Sequence, residues 1–471
     1  MSTTQRWTLA VVSAATAILM LYIAVVNTAL SRIAEDLDTG LGGLQWVVDA
    51  YTLPLAATVL TAGALADRLG RRRVFAVGLV IFSLSSLVAA FAGSSEVLNG
   101  ARAVQGVGGA ILFAVSIALL AHAFPEERER AKALGIYGAT IAGSFAIGPF
   151  VGGVLTSGLD WEWVFLINVP IGIASLAIVA KHVEESRDPV ARRIDWAGQT
   201  TLAGGLFLLV LALLRGNEDG WTSAIILTEF GLAAALLTAF AVIERRVQQP
   251  MLPLGLFRSR GFTGAQVGAF AISGSFFAIF LYVTLYLQQI LGLSAIEAGL
   301  VYVPGTMMMF VTAGATATLT ERGVNPGTLI SAGLGLVTVG MLLMTFAAVD
   351  SSWTVALPGS IVAMIGTGLF NPSVIAVALE SVPGDQSGLA AGVNDTFRQA
   401  GVAVGVAALG ALVPAEAALG GGSAVEYVDG FRDAIFAGAG LVGVGAIATA
   451  VLLRTKRARP ATPGRLAADA A

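Results

Sequence analysis

The chain has 471 residues, 56% of them hydrophobic and only 12% charged, with a mean hydropathy of +0.82. Soluble domains carry about 25% charged residues, so this composition excludes a water-facing globule of comparable size. The net charge of -3 says little as a total, and zero cysteines exclude disulfides, thiolate metal sites and thiol chemistry.

The apolar residues fall into runs of roughly 20 or more, the length that crosses about 30 Å of hydrocarbon as helix. A β-barrel would instead show alternating segments of about ten residues. The first run, 9–30, is longer than a signal-peptide core and lacks a small-residue cleavage site, so it reads as a retained helix. In chain order the predicted spans are 9–30, 44–66, 74–93, 98–121, 134–156, 163–180, 197–215, 223–243, 263–289, 298–319, 327–347, 354–379, 388–413 and 431–454, about fourteen in all.

Orientation follows from Lys and Arg in the short loops. With the N-terminus in the cytoplasm, the inside loops hold Arg68 and Arg71 to Arg73, then Arg128, Arg130 and Lys132, then Lys181, Arg187, Arg192 and Arg193. Arg245, Arg246, Arg258, Arg260 and Arg322 follow, and the tail adds more, whereas Glu35, Asp36, Asp160, Glu218 and Asp219 gather outside. The prediction is a multi-pass protein of the cell membrane with both termini cytoplasmic.

The end of span 2, Leu65-Ala66-Asp67-Arg68, returns at the end of span 10 as Leu319-Thr320-Glu321-Arg322. This short repeat predicts an all-α integral membrane fold of two pseudo-symmetric six-helix bundles plus two inserted helices. The boundaries read as 1–194 for the N-terminal bundle, 195–244 for the inserted pair, 245–455 for the C-terminal bundle and 456–471 for a cytoplasmic tail.

Between spans 2 and 3 lies Gly63-Ala64-Leu65-Ala66-Asp67-Arg68-Leu69-Gly70-Arg71-Arg72-Arg73-Val74-Phe75. Span 4 carries Arg102-Ala103-Val104-Gln105-Gly106-Val107-Gly108-Gly109, span 5 carries Gly148-Pro149-Phe150-Val151-Gly152-Gly153, and span 6 opens with Trp161-Glu162-Trp163-Val164-Phe165-Leu166-Ile167-Asn168-Val169-Pro170. Asp195-Trp196-Ala197-Gly198 opens span 7, and Asn394-Asp395-Thr396-Phe397-Arg398-Gln399-Ala400-Gly401 lies in span 13. Together these resemble the ordered signatures of the major facilitator superfamily, in its 14-helix drug:proton antiporter branch. The resemblance implies export of hydrophobic or amphiphilic small molecules in exchange for protons by alternating access.

The same residues have physical readings of their own. Asp67 sits at a helix C-terminus, where the dipole disfavours an anion. It needs compensation from Arg68, Arg71, Arg72 or a neighbouring helix N-terminus. With Gly63 and Gly70 it reads as a gate latch, or else the arginines are a topogenic anchor alone. Gly148-Pro149 removes a backbone hydrogen bond within a span, and Gly152 and Gly153 allow a close helix approach. Burying Arg102 costs on the order of 2.5–3.5 kcal/mol or more. The resemblance implies a part for it in proton coupling, the alternative being an arginine snorkelling to headgroups.

One departure stands out. The branch carries an acid in span 1, but this chain reads Leu21-Tyr22-Ile23-Ala24-Val25-Val26-Asn27, with Tyr22 at the acid's place. Asp49, in span 2, is the candidate replacement, as partner to Arg102 or as a titrating carboxylate. Tyr22, Gln105, Gln289 and Arg398 are cavity candidates, whereas Glu229, in the inserted pair, reads as off the transport path.

No phosphate loop, H-E-x-x-H or cysteine nucleophile is present, so no enzymatic reading competes. Expected partners are a small hydrophobic substrate, protons and the lipid bilayer, with no nucleic acid, no metal and no cofactor beyond the proton gradient. A monomer is expected. A lipid or amphiphile translocase on the same fold is the alternative function, followed by a non-transporting membrane sensor.

Overall fold

The structure, a computed structural model, describes residues 1–187, 194–383, 386–419 and 421–454. The tail 456–471 lies outside the described residues, as do Arg192 and Arg193 and the side chains of 22–24, 127, 131 and 142. Fourteen long helical segments follow one another: α1 (Thr3–Asp36), α2 (Leu41–Leu69), α3 (Arg71–Ala90), α4 (Ser95–Ala123), α5 (Glu127–Gly158), α6 (Trp163–His182) and α7 (Trp196–Asp219). Then come α8 (Ala224–Arg246), α9 (Arg260–Ile290), α10 (Ala295–Glu321), α11 (Pro326–Met344), α12 (Trp353–Glu380), α13 (Ser387–Gly410) and α14 (Ala424–Leu452).

Polar caps start these helices where the apolar runs begin. Ser2 with Gln5 and Ser294 with Glu297 form reciprocal capping boxes. Ser94, Asp195, Ser223 and Ser259 accept backbone N–H groups at the starts of α4, α7, α8 and α9, and Asn325 does so ahead of Pro326.

Among the described residues, thirteen helices are long and apolar enough to cross a membrane. The segment left out is α13, whose middle carries Asn394, Asp395, Arg398 and Gln399. It can afford them because it packs inside the molecule, between α2 and α9.

α1 to α6 form one bundle and α9 to α14 the other, meeting along two seams, α5 against α10 and α2 against α13. The inserted hairpin of α7 and α8 lies over the second seam. Gln199, Leu202, Leu206 and Val210 recur on the buried face of α7, which packs on both α2 and α13. Thr61 of α2 donates to Gln199, the Trp46 and Phe207 rings lie 5.8 Å apart, and Asn217 donates to the Ala411 carbonyl at 2.7 Å. Glu229 is held within the hairpin by Arg215 at 2.8 Å, and Arg215 also pairs with Asp219 at 2.7 Å.

The fourteen helices run alternately up and down, so the start of α1 and the end of α14 share a face with the Asp67–Arg73 turn, called the arginine-rich face below. Small residues set the helix spacing. A Cβ at Gly108 would lie 2.8 Å from the Phe82 backbone nitrogen of α3, and one at Gly106 would run into the Tyr51 carbonyl of α2. Gly106→Val is therefore expected to push α4 off α2 and cost about 1–3 kcal/mol, read as a lower thermal unfolding midpoint in detergent. An unchanged midpoint would show that the contact is not needed.

Candidate functional site

The Gly63–Phe75 stretch folds as two helices joined by one residue. Gly70 has a φ of 112°, a left-handed conformation that a side chain would strain. This sharp turn brings Arg71 back over Asp67. The Asp67 carboxylate accepts Nε and Nη2 of Arg71 at 3.0 and 2.8 Å, so the anion at the end of α2 is compensated one turn away.

The other arginines engage the segment after α6. Arg71 N–H donates to the Ser186 carbonyl at 2.9 Å, and Arg72 Nη1 donates to the Val183 carbonyl at 3.3 Å. Glu185 accepts the Arg72 N–H at 3.0 Å and lies 3.7 Å from Arg73. An acid at the N-terminus of α3 is favourably placed against the helix dipole. All these partners belong to the first bundle, so in this conformation the motif staples α2, α3 and α6 together. Glu185 was not singled out from the sequence. Nothing short of the folded loop places it beside Gly70, 115 positions earlier in the chain.

Arg102 is 3% exposed and does not snorkel. Its Nε donates to the Val47 carbonyl at 2.7 Å, Nη1 donates to Gln105 at 3.1 Å, and the guanidinium lies 4.6 Å from the Tyr51 ring centre. Gln105 donates in turn to Ser86 at 2.6 Å, and Asn168 of the span 6 motif reaches the same hydroxyl at 3.4 Å. Gln105 thus belongs to the framework that holds Arg102. Trp161 anchors the start of that motif through Nε1 to Asp36 at 2.8 Å.

Asp49 is fully buried with the Thr52 hydroxyl as its polar neighbour, and neither carboxylate oxygen has a partner at full hydrogen-bond geometry among the described residues. The described partners of Arg102 do not include it. Val47 and Tyr51 serve Arg102, whereas Asp49 lies one turn from Gln45, which serves the seam with the second bundle. Gln45 Nε2 donates to the Tyr282 hydroxyl at 2.8 Å, and that hydroxyl donates to the Val406 carbonyl at 2.5 Å. Tyr427 donates to the Tyr282 carbonyl at 2.6 Å.

More contacts join the bundles at the end away from the arginine-rich face. Gln288 of α9 donates to the Thr28 carbonyl at 3.0 Å, and Ile296 N–H of α10 donates to Ser157 at 3.2 Å. Deeper in, Thr306 donates to the Ala146 carbonyl at 2.9 Å. The Gly148–Gly153 motif lies in this part of α5, beyond its middle. Its two last glycines serve different neighbours. A Cβ at Gly152 would lie 2.8 Å from Val25 Cα of α1, and one at Gly153 would lie 2.6 Å from the Ala295 carbonyl and 2.7 Å from Ile296 Cα of α10. In return, Gly299 of α10 packs on the Pro149 carbonyl.

Above this seal opens a polar depression of about 450 Å³, lined by Ser31, Arg32, Thr156, Asp160, Gln288 and Gln289 among others. Gln289 therefore borders a cavity, but at the face and not at midplane. Arg398 is half-buried on α13 with Asp395 as its charged neighbour, and Asp395 also faces Tyr137 of the first bundle. The side chain of Tyr22 lies outside the described residues. Met307 and Met308 are exposed on α10, while Met309 packs in the core.

Among the described residues, no group of three or more His, Cys, Asp or Glu could hold a metal ion. The architecture has solved counterparts. The crystal structure of the human organic anion transporter MFSD10 (TETRAN) superposes with a TM-score of 0.65 at 16% identity, covering 95% of this chain and all of that one. The methylenomycin A resistance protein of Streptomyces coelicolor is 36% identical over 409 residues, 86% of this chain and 85% of that protein. The cephamycin export protein CmcT of Amycolatopsis lactamdurans is 33% identical over 465 residues, 98% and 95% of the two chains. The profile of the Major Facilitator Superfamily matches residues 12–406, a range that takes in nearly all of the first bundle, the inserted hairpin, the second bundle as far as α13 and each motif described above, and the chain belongs to that family.

Proposed function

We propose that this protein exports hydrophobic or amphiphilic small molecules from the cell in exchange for protons, by alternating access between its two bundles. The observation that carries this reading is the one-sided seam. Gln45, Tyr282, Gln288 and Ser157 tie the bundles together away from the arginine-rich face, while the Asp67 motif on that face is occupied within one bundle. Such a molecule is tied across its bundles at one end while the described contacts of its Asp67 motif at the other end stay within one bundle, an arrangement that fits one of the two states an alternating-access cycle needs.

The positive-inside rule puts the arginine-rich face in the cytoplasm, and with it both termini. The conformation is then closed to the outside, and the Asp67 motif gates the inner side. The family membership and the export and resistance relatives support a small-molecule cargo. In this reading the chain works as a monomer, performs no chemical step, and draws on the proton gradient through Asp49 and Arg102. The two bundles keep the boundaries 1–194 and 245–455, joined by 195–244.

Dye efflux from energised cells tests the proposal. Expression is expected to lower dye retention severalfold, and a protonophore uncoupler is expected to abolish the difference. Efflux that survives the uncoupler would sink proton exchange. Redistribution of labelled lipid without dye export would favour the lipid translocase instead.

A further inference from the structure

Two carboxyl groups of the inserted hairpin, neither of them among the seam contacts or the Asp67 motif described above, meet beneath one glycine. Asp195 caps the start of α7, with Oδ1 accepting the Gly198 N–H at 2.8 Å. Glu244 is near the end of α8, with Oε2 accepting the Leu252 N–H at 3.0 Å from the segment that leads to α9. These residues are only 9% and 4% exposed.

Their second oxygens, Asp195 Oδ2 and Glu244 Oε1, have no hydrogen-bond partner among the described residues. Both converge on one place, since a Cβ on Gly198 would lie 2.8 Å from the former and 2.7 Å from the latter. From the elements packed around Glu244, Asp195 is the charged group that faces it. Arg245 and Arg246 on the same helix and Arg258 in the following turn are exposed.

Two ionised carboxylates in a desolvated site repel, and neither acid belongs to a described ion pair. A proton between the facing oxygens resolves this, because the protonated group donates and the ionised one accepts. Divalent calcium or magnesium calls for about six or more oxygen ligands, and this site offers two acids. We propose that Asp195 and Glu244 share one proton, forming a pH-dependent clasp that ties the start of α7 to the end of α8.

The Asp-Trp-Ala-Gly motif then has a physical role. Aspartate supplies one half of the clasp and the helix cap together, and glycine leaves room for the second carboxyl. The clasp holds while the proton is bound and fails as pH rises, when the second ionisation sets like charges against each other. It concerns the inserted hairpin, and it stands whether or not the protein exports drugs.

The test uses the purified full-length protein in lipid nanodiscs. Infrared spectra recorded against pH are expected to show a protonated carboxyl C=O band that persists at neutral pH and fades in alkali. That band is expected to lose intensity in Glu244→Gln and to change in Asp195→Asn, which keeps the helix cap, while any contribution from the buried Asp49 and Asp395 carboxyls stays the same in all three proteins. The thermal unfolding midpoint of the parent protein is expected to fall across the same range, while that of Glu244→Gln stays level. Parent spectra without such a band overturn the proposal before any variant is made. So does a band unchanged in whichever variant folds, or an identical pH profile of unfolding in parent and variant.

Discussion

Replacing Gly153 with leucine is expected to cut export about 10- to 100-fold while leaving the protein abundant in the membrane. Gly153 is where α5 of the first bundle touches the start of α10 in the second, with no room for even a Cβ beside Ala295 and Ile296. Overpacking a tight contact costs about 1–3 kcal/mol, and each 1.4 kcal/mol is about tenfold in an equilibrium. That cost falls only on the conformation closed at this end, so the effect is a shift of population and not general unfolding.

Gly152→Leu is the internal control. Gly152 packs on Val25 and Thr28 of α1, within its own bundle, so its replacement should lower membrane abundance in every state. Rates of dye efflux normalised to protein level separate the two. Single cysteines near Thr28, introduced into this cysteine-free chain, would report closure directly by their labelling from outside. Normal export by Gly153→Leu would remove the seam from the mechanism.

The apolar runs made most of the fold legible, because every membrane-crossing backbone must satisfy its own hydrogen bonds as helix. Even α13, polar in its middle, was visible from its flanking small and apolar residues. Gly153, Arg102 and Asp67 each sit at a tight or charged junction.

Their partners were hidden because they depend on helix rotation and distant packing. Asp49 and Val47 are two residues apart, yet about 200° around a helix separates them, so one serves the seam and the other Arg102. Gln45 acquires its role only through Tyr282, 237 positions away in the chain. Glu185 and Glu244 likewise acquire meaning only through loops that fold back on Gly70 and Gly198. Glu244 is followed directly by Arg245 and Arg246 in the sequence, so its burial shows only in the fold.

Asp49→Asn is expected to abolish uphill export while sparing downhill exchange. The carboxyl is fully buried with neither oxygen at full hydrogen-bond geometry to a described partner, and an ionised carboxylate in such a place carries a desolvation cost of several kcal/mol. Asparagine matches it in size and carries no charge, so folding and membrane abundance should survive. What asparagine cannot do is take up and release a proton.

In the proposed mechanism the position of Asp49 would turn proton binding into movement. It lies one helical turn from Gln45, whose amide reaches across to Tyr282 and the Val406 carbonyl. Ionising a group there favours water at the seam, hence the conformation open at that end, and protonation favours the closed one. Arg102 is held by Val47, Tyr51 and Gln105 on the other side of the same helix, so it fixes α2 in rotation without neutralising Asp49. In proteoliposomes, substrate-driven proton movement should vanish in Asp49→Asn while equilibrative substrate flux stays within about twofold, since no packing changes. Proton movement equal to that of the parent protein would place the coupling acid elsewhere, with Asp395, beside Tyr137 and Arg398, the next to test.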